Sequence, residues 1–245
     1  MALIHEFEKT GNWLFRRRSW LPVFLIAAGF ALMYFSPASD YEYRPGLEIV
    51  IICISLFGEL IRIITVGFAP GNTSGRNTSK GQIADEINIT GIYSVVRHPL
   101  YVGNYFMWLG PSLFLRSAWV AIVFSLAYWI YYERIMFAEE QFLRRKFGEA
   151  YDKWSDQVKA VIPSFGKFLR PSLPFSLRTV MRREYNSFIN IFVVFTALDL
   201  FRNFLLSGNL AITALYAWAG AIAFLIWLIL RMIHKTTSWF TVEGR

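Results

Sequence analysis

The sequence predicts an all-α fold, a bundle of about six membrane-spanning helices with both termini in the cytoplasm. Hydrophobic residues make up 55% of the 245 residues and aromatic residues 18%, and the mean hydropathy of +0.39 is above that of ordinary soluble domains. Six separate apolar segments approach the ~20 residues that cross about 30 Å of hydrocarbon. The basic residues of the connections then set the orientation.

The six predicted spans cover residues 20–35, 47–68, 100–115, 118–132, 188–206 and 210–230. No A-x-A-like cleavage site precedes Pro37, so the first span is expected to be a retained anchor. The third and fourth spans are short and are separated only by Arg116 and Ser117, which predicts one tight helical hairpin.

Lys and Arg are distributed unevenly over the connections between these spans. Segments 1–19, 69–99, 133–187 and 231–245 hold 21 of the 25 basic residues, whereas Arg44, Arg116 and Arg202 fall on the other side. Because cytoplasmic loops retain basic residues, both termini are predicted to be cytoplasmic. The net charge is +8, and the basic residues lie beside the span ends, where anionic lipid head groups attract them. A membrane surface therefore accounts for the positive charge, and no nucleic-acid partner is expected.

One membrane domain is expected to cover residues 1–245. It divides into N-terminal spans (1–69), a central region (70–165) and a two-span extension (166–245). Residues 70–90 are rich in Gly, Asn, Thr and Ser, a composition that favours turns over regular structure. This loop is expected to lie over a cytosolic pocket. Residues 133–154 are predicted to continue the fourth span as an amphipathic surface helix. With Cys53 as the single cysteine, neither a disulfide nor a metal site is expected.

Two polar clusters flank the predicted hairpin. The first is the run GIYSVVRHPLYVG at 91–103, and the second begins with Glu139 and Glu140 and ends with Tyr151 and Trp154. Since a helical hairpin returns the chain to the side on which it started, both clusters should face the cytosol as one site.

Two pairs of opposite charges lie inside the spans. Glu59 and Arg62 share a helix face. Either they form a mutual ion pair, or they line the route to the site, since ionisable groups at this depth mark a partner or a cavity. Asp199 and Arg202 repeat the spacing and are expected to form a structural pair.

The combined pattern GxYxxxRHPxYxG and EExxLxxxFGxxYxxW, with a proline nearby, resembles the isoprenylcysteine carboxyl methyltransferase family and its phospholipid methyltransferase relatives. The match runs over residues 75–163, a little over a third of the chain. The chain departs from the family in the position of Arg134 relative to the Glu pair, in Ala160 before the terminal proline, and in the two spans that follow the motifs.

The resemblance implies S-adenosylmethionine as the cofactor and assigns roles to particular residues. Arg134 would orient the substrate, and Glu140 is assigned to catalysis. An amine acceptor would require a proton acceptor, for which Glu140 and His98 are the nearby candidates. The residues implied to bind the cofactor are Ile87, Asn88, Tyr93, His98, Pro99, Leu100, Tyr101 and Glu139. Three structural alternatives stay open: Glu140 pairs with Arg144, His98 caps a helix, and Tyr101 is an interfacial belt residue.

The chemistry of these residue types agrees with the implied cofactor. Carboxylates and electron-rich rings attract a sulfonium, and an arginine can orient an anionic acceptor through two parallel hydrogen bonds. The expected activity is methyl transfer to the polar head of a membrane lipid or lipidated acceptor at the cytoplasmic face of a bacterial inner membrane. A lipid A-type phosphate is favoured as acceptor, then a prenylcysteine carboxylate, then an ethanolamine amine. A non-catalytic membrane scaffold or lipid-binding protein is the alternative.

Overall fold

The computed structural model describes the whole chain apart from Met1, Ser19, Asn72, Ser74, Gly75, Ser79 and Lys80. The described residues form eight α-helices and one small β-hairpin. The helices are α1 (Leu3–Arg17), α2 (Leu21–Phe35), α3 (Pro45–Phe68), α4 (Pro99–Phe114), α5 (Ala118–Phe147), α6 (Glu149–Ser155), α7 (Leu177–Ser207) and α8 (Ala214–Thr236). The strands are β1 (Arg76–Thr78) and β2 (Gly81–Ile83).

The predicted all-α membrane bundle is confirmed, and the protein is an integral membrane protein. Among the described residues, helices α3, α5, α7 and α8 are long and apolar enough to cross a membrane, and Val23–Phe35 is a shorter apolar segment. The sequence predicts about six spans. The remaining two, α2 and α4, have 15 and 16 residues and are shorter than the ~20 of a full crossing.

The predicted hairpin is present as α4 and α5, joined by residues 115–117. Ser117 caps α5, since its Oγ accepts a hydrogen bond from the Val120 amide at 3.4 Å. Most of the predicted surface helix is part of α5 itself, because α5 continues without interruption to Phe147. Gly148, with φ of 54°, then separates α5 from α6. A helix continuous from the span fixes the second polar cluster rigidly against the first.

The loop at 70–90 is more regular than the sequence predicts. Strands β1 and β2 pair antiparallel, with Arg76 opposite Ile83. The same turn-forming composition that argues against a helix also permits a tight chain reversal, which is why a hairpin forms here. The positions 72, 74, 75, 79 and 80 of this prediction lie outside the described residues.

Helices α3 and α4 pack with almost no side chain between them. A Cβ on Gly58 would lie 2.4 Å from the carbonyl oxygen of Gly103, and a Cβ on Gly103 would lie 2.8 Å from that of Gly58. Small residues allow membrane helices to approach this closely. The contact holds the start of α4, and with it the first polar cluster, against α3.

Helix α1, for which the sequence analysis makes no prediction, lies along α5. A Cβ on its Gly11 would come within 2.0 Å of the Arg134 carbonyl oxygen, and Phe7 meets Phe137 edge-on at 5.7 Å between ring centroids. Glu8 pairs with Arg145 at 2.7 Å. Arg18, which directly follows α1, is thereby brought close to the polar clusters.

A buried polar network connects the helices at the end of the bundle opposite to the polar clusters, and we call it the distal network. Its members are Glu48, Arg116, Asp199, Arg202 and Tyr216. Arg202 ion-pairs with Asp199 and donates from Nη1 to Glu48 at 2.7 Å; Arg116 and the Tyr216 hydroxyl also donate to Glu48. The predicted structural pair Asp199–Arg202 is therefore confirmed. Fourteen residues of α3, about 21 Å, separate Glu48 from Arg62.

Candidate functional site

A cavity of about 290 Å³ lies at the start of α4, between the two polar clusters. This volume is at the lower end of the range of small-molecule sites, roughly 300–1,000 Å³. The lining residues are Arg18, Arg62, Ile87, Asn88, Tyr93, Arg97, His98, Pro99, Leu100, Tyr101, Asn104, Tyr132, Glu139, Leu143, Tyr151 and Trp154.

The turn that precedes α4 is fixed by its glycine, its proline and a distant segment of backbone. Gly91 has φ of 60° and would place a Cβ 3.2 Å from Pro171, so a side chain there is disfavoured twice. Pro99 begins α4 at the position where its missing N–H is harmless. The amides of Arg97 and His98 donate to the carbonyls of Lys159 and Ala160 at 2.9 and 3.0 Å. Ala160 therefore contributes through its backbone.

His98, Tyr101 and Glu139 form the polar centre of the cavity. The Tyr101 hydroxyl donates to Glu139 Oε2 at 3.1 Å, and His98 Nδ1 lies 3.8 Å from the same oxygen. Glu139 is only 6% exposed, so its carboxylate faces the cavity with little access to bulk water. His98 makes no side-chain capping hydrogen bond to α4, and Tyr101 is engaged inside the protein. The capping and interfacial-belt alternatives therefore do not hold.

Glu140 lies behind this centre and does not line the cavity. It accepts from His98 Nε2 at 2.8 Å and lies 3.0 Å from Arg97 Nε. The alternative pairing with Arg144 is wrong, because Arg144 donates to Asp152 at 2.7 Å. Because Glu140 accepts a hydrogen bond from His98 Nε2, it orients the imidazole ring so that Nδ1 faces Glu139.

The aromatic wall of the cavity comes from α6 and the preceding turn. The indole N–H of Trp154 donates to the Tyr93 carbonyl at 3.2 Å, and the Tyr151 and Trp154 rings meet edge-on at 5.7 Å. Burial raises the pKa of the Tyr151 hydroxyl, which is therefore neutral over the physiological range. Neutral rings of this kind can contact a cation or a planar base.

The structure brings together all eight residues predicted to bind the cofactor, but not the two predicted to act on the substrate. Arg134 does not line the cavity, because its guanidinium lies over the ring of Phe7 at 3.2 Å from the centroid. Five helical residues separate it from Glu139, which places the two side chains about 140° apart around α5. Glu140, the other predicted residue, does not line the cavity and contacts two residues that do, His98 and Arg97.

Arg62 is a cavity residue held by a helix that the sequence does not connect to it. Its Nε and Nη2 donate to the two carboxylate oxygens of Glu184 in α7, at 2.9 and 3.0 Å, and Nη1 donates to Asn104 at 2.6 Å. Of the two alternatives for Glu59 and Arg62, the mutual ion pair is therefore wrong, and Arg62 lines the cavity as the second alternative predicts. Both carboxylate oxygens of Glu59 are buried without a hydrogen-bond partner among the described residues.

Four further lining residues escaped the sequence reasoning, namely Arg18, Asn104, Tyr132 and Leu143. Tyr132 is seven residues from Glu139 and Leu143 four residues, so the helical period alone places both on its face of α5. Asn104 follows Tyr101 by three residues in the same way. Arg18 reaches the cavity through the docking of α1, for which the sequence carries no comparable signal.

Comparison with known proteins assigns the central third of the chain. Residues 73–150 match the model of the phospholipid methyltransferase family. This segment is a phospholipid methyltransferase domain. It runs from just before β1 to the start of α6. It contains the first polar cluster and the Glu139–Glu140 part of the second, whereas Tyr151, Trp154, α7 and α8 lie outside it. No solved structure matches the chain.

Individual relatives of the methyltransferase domain agree with the resemblance seen in the motifs. The chain is 26% identical over 113 residues to protein-S-isoprenylcysteine O-methyltransferase of Tribolium castaneum, over 46% of this chain and 40% of that protein. It is 37% identical over 81 residues to the protein of the same name in Schizosaccharomyces pombe, over 32% of this chain and 34% of the relative.

A third relative carries a different name. The nickel-cobalt-cadmium resistance protein NccN of Alcaligenes xylosoxydans xylosoxydans is 32% identical over 88 residues, over 36% of this chain and 41% of the relative. The chain thus matches between 34% and 41% of the length of these three proteins. These matches confirm the resemblance to the isoprenylcysteine carboxyl methyltransferase family and its phospholipid methyltransferase relatives, and such a domain implies a methyl donor.

Proposed function

We propose that the protein transfers a methyl group from S-adenosylmethionine to an anionic oxygen on the head group of a membrane lipid or lipidated acceptor. The observation that carries this proposal is the charge of the cavity. One nearly buried glutamate, Glu139, lines it together with three arginines, Arg18, Arg62 and Arg97. A methyl donor that carries a cation and an acceptor that carries an anion need both signs within one cavity.

The residues present fit S-adenosylmethionine. Glu139 supplies the anion for its positive groups, and the rings of Tyr93, Tyr101 and Trp154 supply electron-rich faces. Asn88 is buried and lines the same cavity, and it would hydrogen-bond a polar group of the cofactor. When bound, the cofactor supplies an electrophilic methyl group on a sulfonium.

The chain's own residues would accelerate the reaction by positioning and by excluding water. His98 is fixed by Glu140, and Tyr101 is fixed by Glu139, so the polar centre is rigid before ligands arrive. Holding two reactants in line is worth as much as ~7–11 kcal/mol of the barrier in favourable cases. Such a centre needs no additional acid or base for an anionic acceptor.

An anionic oxygen is favoured over an amine because an amine must lose a proton, and the two candidate acceptors, Glu140 and His98, are already paired. Glu140 is engaged by His98 and Arg97, and His98 Nε2 is bonded to Glu140. An anionic oxygen needs no proton acceptor and is attracted by the guanidinium groups. A lipid phosphate of the lipid A type is the first choice, and a prenylcysteine carboxylate the second. The basic loops favour a cavity that opens to the cytoplasm of a bacterial inner membrane.

Calorimetric titration of S-adenosylmethionine into the detergent-purified protein tests the cofactor. Transfer of a labelled methyl group to a panel of a phosphatidic acid, a lipid A phosphate, N-acetyl-S-farnesylcysteine and phosphatidylethanolamine tests the acceptor. We expect binding and transfer to an anionic member of the panel. Folded protein that binds no cofactor, or that methylates only the amine, would refute the proposal.

A further inference from the structure

We infer that Arg62 binds the anionic head group of the acceptor and that Glu184, from the C-terminal extension, holds it in position for this role. The inference rests on the proposed function and deepens it, because it names the acceptor-binding residue and the helix that completes the site. It replaces Arg134, which faces α1, as the residue that meets the acceptor.

The guanidinium of Arg62 is hydrogen-bonded to two residues and still has N–H groups that a ligand can use. Its bonds to Glu184 and Asn104 use three of the five N–H donors of an arginine, at Nε, Nη2 and Nη1. One further N–H on each terminal nitrogen is left for a ligand. A paired fork of this kind suits a phosphate or a carboxylate, which accepts two parallel hydrogen bonds.

The burial of this cluster indicates that the pair is more than a surface ion pair. The side chain of Arg62 is 16% exposed and that of Glu184 is 5% exposed, and Arg62 is part of the cavity lining. Its aliphatic stem crosses Gly103, where a Cβ would lie 2.7 Å from Arg62 Cγ. The glycine contact between α3 and α4 thus leaves room for the arginine to reach the cavity.

The position of Arg62 along the helix suits a lipid head group. It lies six residues, about 9 Å, from the cytoplasmic end of α3, and Glu184 lies seven residues into α7. With this end of α3 at the cytoplasmic head-group surface, as the basic loops predict, Arg62 would lie at the boundary between the head groups and the hydrocarbon, since the head-group region adds only ~5–8 Å on each side of the hydrocarbon core.

The other two arginines of the cavity are less suitable. Arg97 Nη1 donates to the Ser155 carbonyl, and its Nε lies beside Glu140, which ties it to the wall that carries Tyr151 and Trp154. Arg18 lies over the Phe15 ring at the end of α1. Arg62 alone among the three cavity arginines is fixed by a residue of α7, which lies outside the methyltransferase domain.

Binding of short-chain lipids to the full-length protein in detergent tests the inference. The probes are dihexanoyl phosphatidic acid for a phosphate, N-acetyl-S-farnesylcysteine for a carboxylate, and dihexanoyl phosphatidylcholine as the zwitterionic control. The variants are Arg62→Gln, Glu184→Gln, Glu184→Asp and Asn104→Ala, with Asp199→Asn as a matched control. Asp199→Asn weakens the other buried ion pair of α7, in the distal network.

We expect Arg62→Gln and Glu184→Gln to weaken binding of one anionic probe at least tenfold and to leave S-adenosylmethionine affinity within threefold of the wild type. Glu184→Asp should recover affinity to within threefold, and Asn104→Ala should fall between. Asp199→Asn should lower the melting temperature without changing probe affinity. The anionic probe that responds identifies the acceptor as phosphate or carboxylate.

Unchanged anionic binding in Arg62→Gln, or an equal loss of the zwitterionic probe, would overturn the inference. Should Glu184→Gln fail to fold, Arg62→Gln and Asn104→Ala still decide it. Failure of the proposed function is a separate result: wild-type protein that binds no S-adenosylmethionine would refute the methyltransferase while the probe series still tests Arg62.

Discussion

Replacing Glu139 by glutamine removes one negative charge from the cavity and changes almost nothing else. The amide has the same size as the carboxylate, and its oxygen can still accept from the Tyr101 hydroxyl, which now lies 3.1 Å from Oε2. Since Glu139 is 6% exposed, water cannot take over the lost interaction with a cationic ligand. The variant therefore measures the value of the charge for cofactor binding.

The expected magnitude follows from the burial of this carboxylate. A hydrogen bond to a charged group is worth about 1.5–3 kcal/mol, and each 1.4 kcal/mol corresponds to a tenfold change in affinity. Glu139→Gln should therefore weaken S-adenosylmethionine binding roughly 10-fold to 150-fold. The melting temperature of the ligand-free protein should change little, because no Arg or Lys ion-pairs with Glu139 among the described residues.

Calorimetry on Glu139→Gln and Glu140→Gln, side by side, provides the assay. The two glutamates are neighbours in α5, but only Glu139 lines the cavity. Glu140→Gln should change cofactor affinity less than about fivefold and lower the melting temperature, because it weakens the contacts to Arg97 and His98. An affinity of Glu139→Gln within threefold of the wild type, or a larger loss in Glu140→Gln, would refute this assignment.

Three further predictions concern stability, each measured by thermal unfolding in detergent. Gly58→Ala should destabilise by about 1–3 kcal/mol, since its Cβ would meet a carbonyl oxygen of α4 at 2.4 Å, whereas Gly46→Ala, with nothing within 4 Å, should not. Gly148→Ala should lower the free energy of unfolding by roughly 1–3 kcal/mol through backbone strain alone, because φ is 54° and nothing lies within 4 Å of the added Cβ. Gly166→Ala, which also has open space, is its control, and an equal destabilisation by both variants would contradict the strain argument. Glu59→Gln should raise the melting temperature, because it removes a buried carboxylate without hydrogen-bond partners among the described residues, and a lower value would contradict this reasoning.

The half of the cavity proposed to hold the cofactor could be predicted because its residues are local in sequence. Tyr93, His98 and Tyr101 belong to one turn and one helix start, and a hairpin of two helices brings Glu139 back to them. Helical periodicity fixes which side chains share a face. The same periodicity argues against Arg134, whose position five residues before Glu139 places it on another face of α5.

The half proposed to bind the acceptor could not be predicted, because it depends on contacts between distant helices. Arg62 and Glu184 are 122 residues apart, and the sequence offers Glu59, three residues away, as a closer partner. Which carboxylate pairs with Arg62 depends on the rotation of α3 against α7, and this rotation is set by packing across the whole bundle. Short spans such as α2 are difficult for the same reason, since neighbouring helices and not their own length fix their position.

The long separation of these partners has a consequence for biosynthesis. Helix α3 carries Glu48, Glu59 and Arg62 into the membrane, yet Glu184 and Arg202 are translated 122 residues after Arg62 and 154 residues after Glu48. At roughly 5–20 residues per second, α3 waits about 6–30 s for its partners. Helix α3 is also the most apolar of the four described spans, which allows it to enter the bilayer before its charges are neutralised. A ribosome stalled before α7 would therefore leave Arg62 in an inserted helix without its carboxylate partner, whereas Glu48 would already have Arg116.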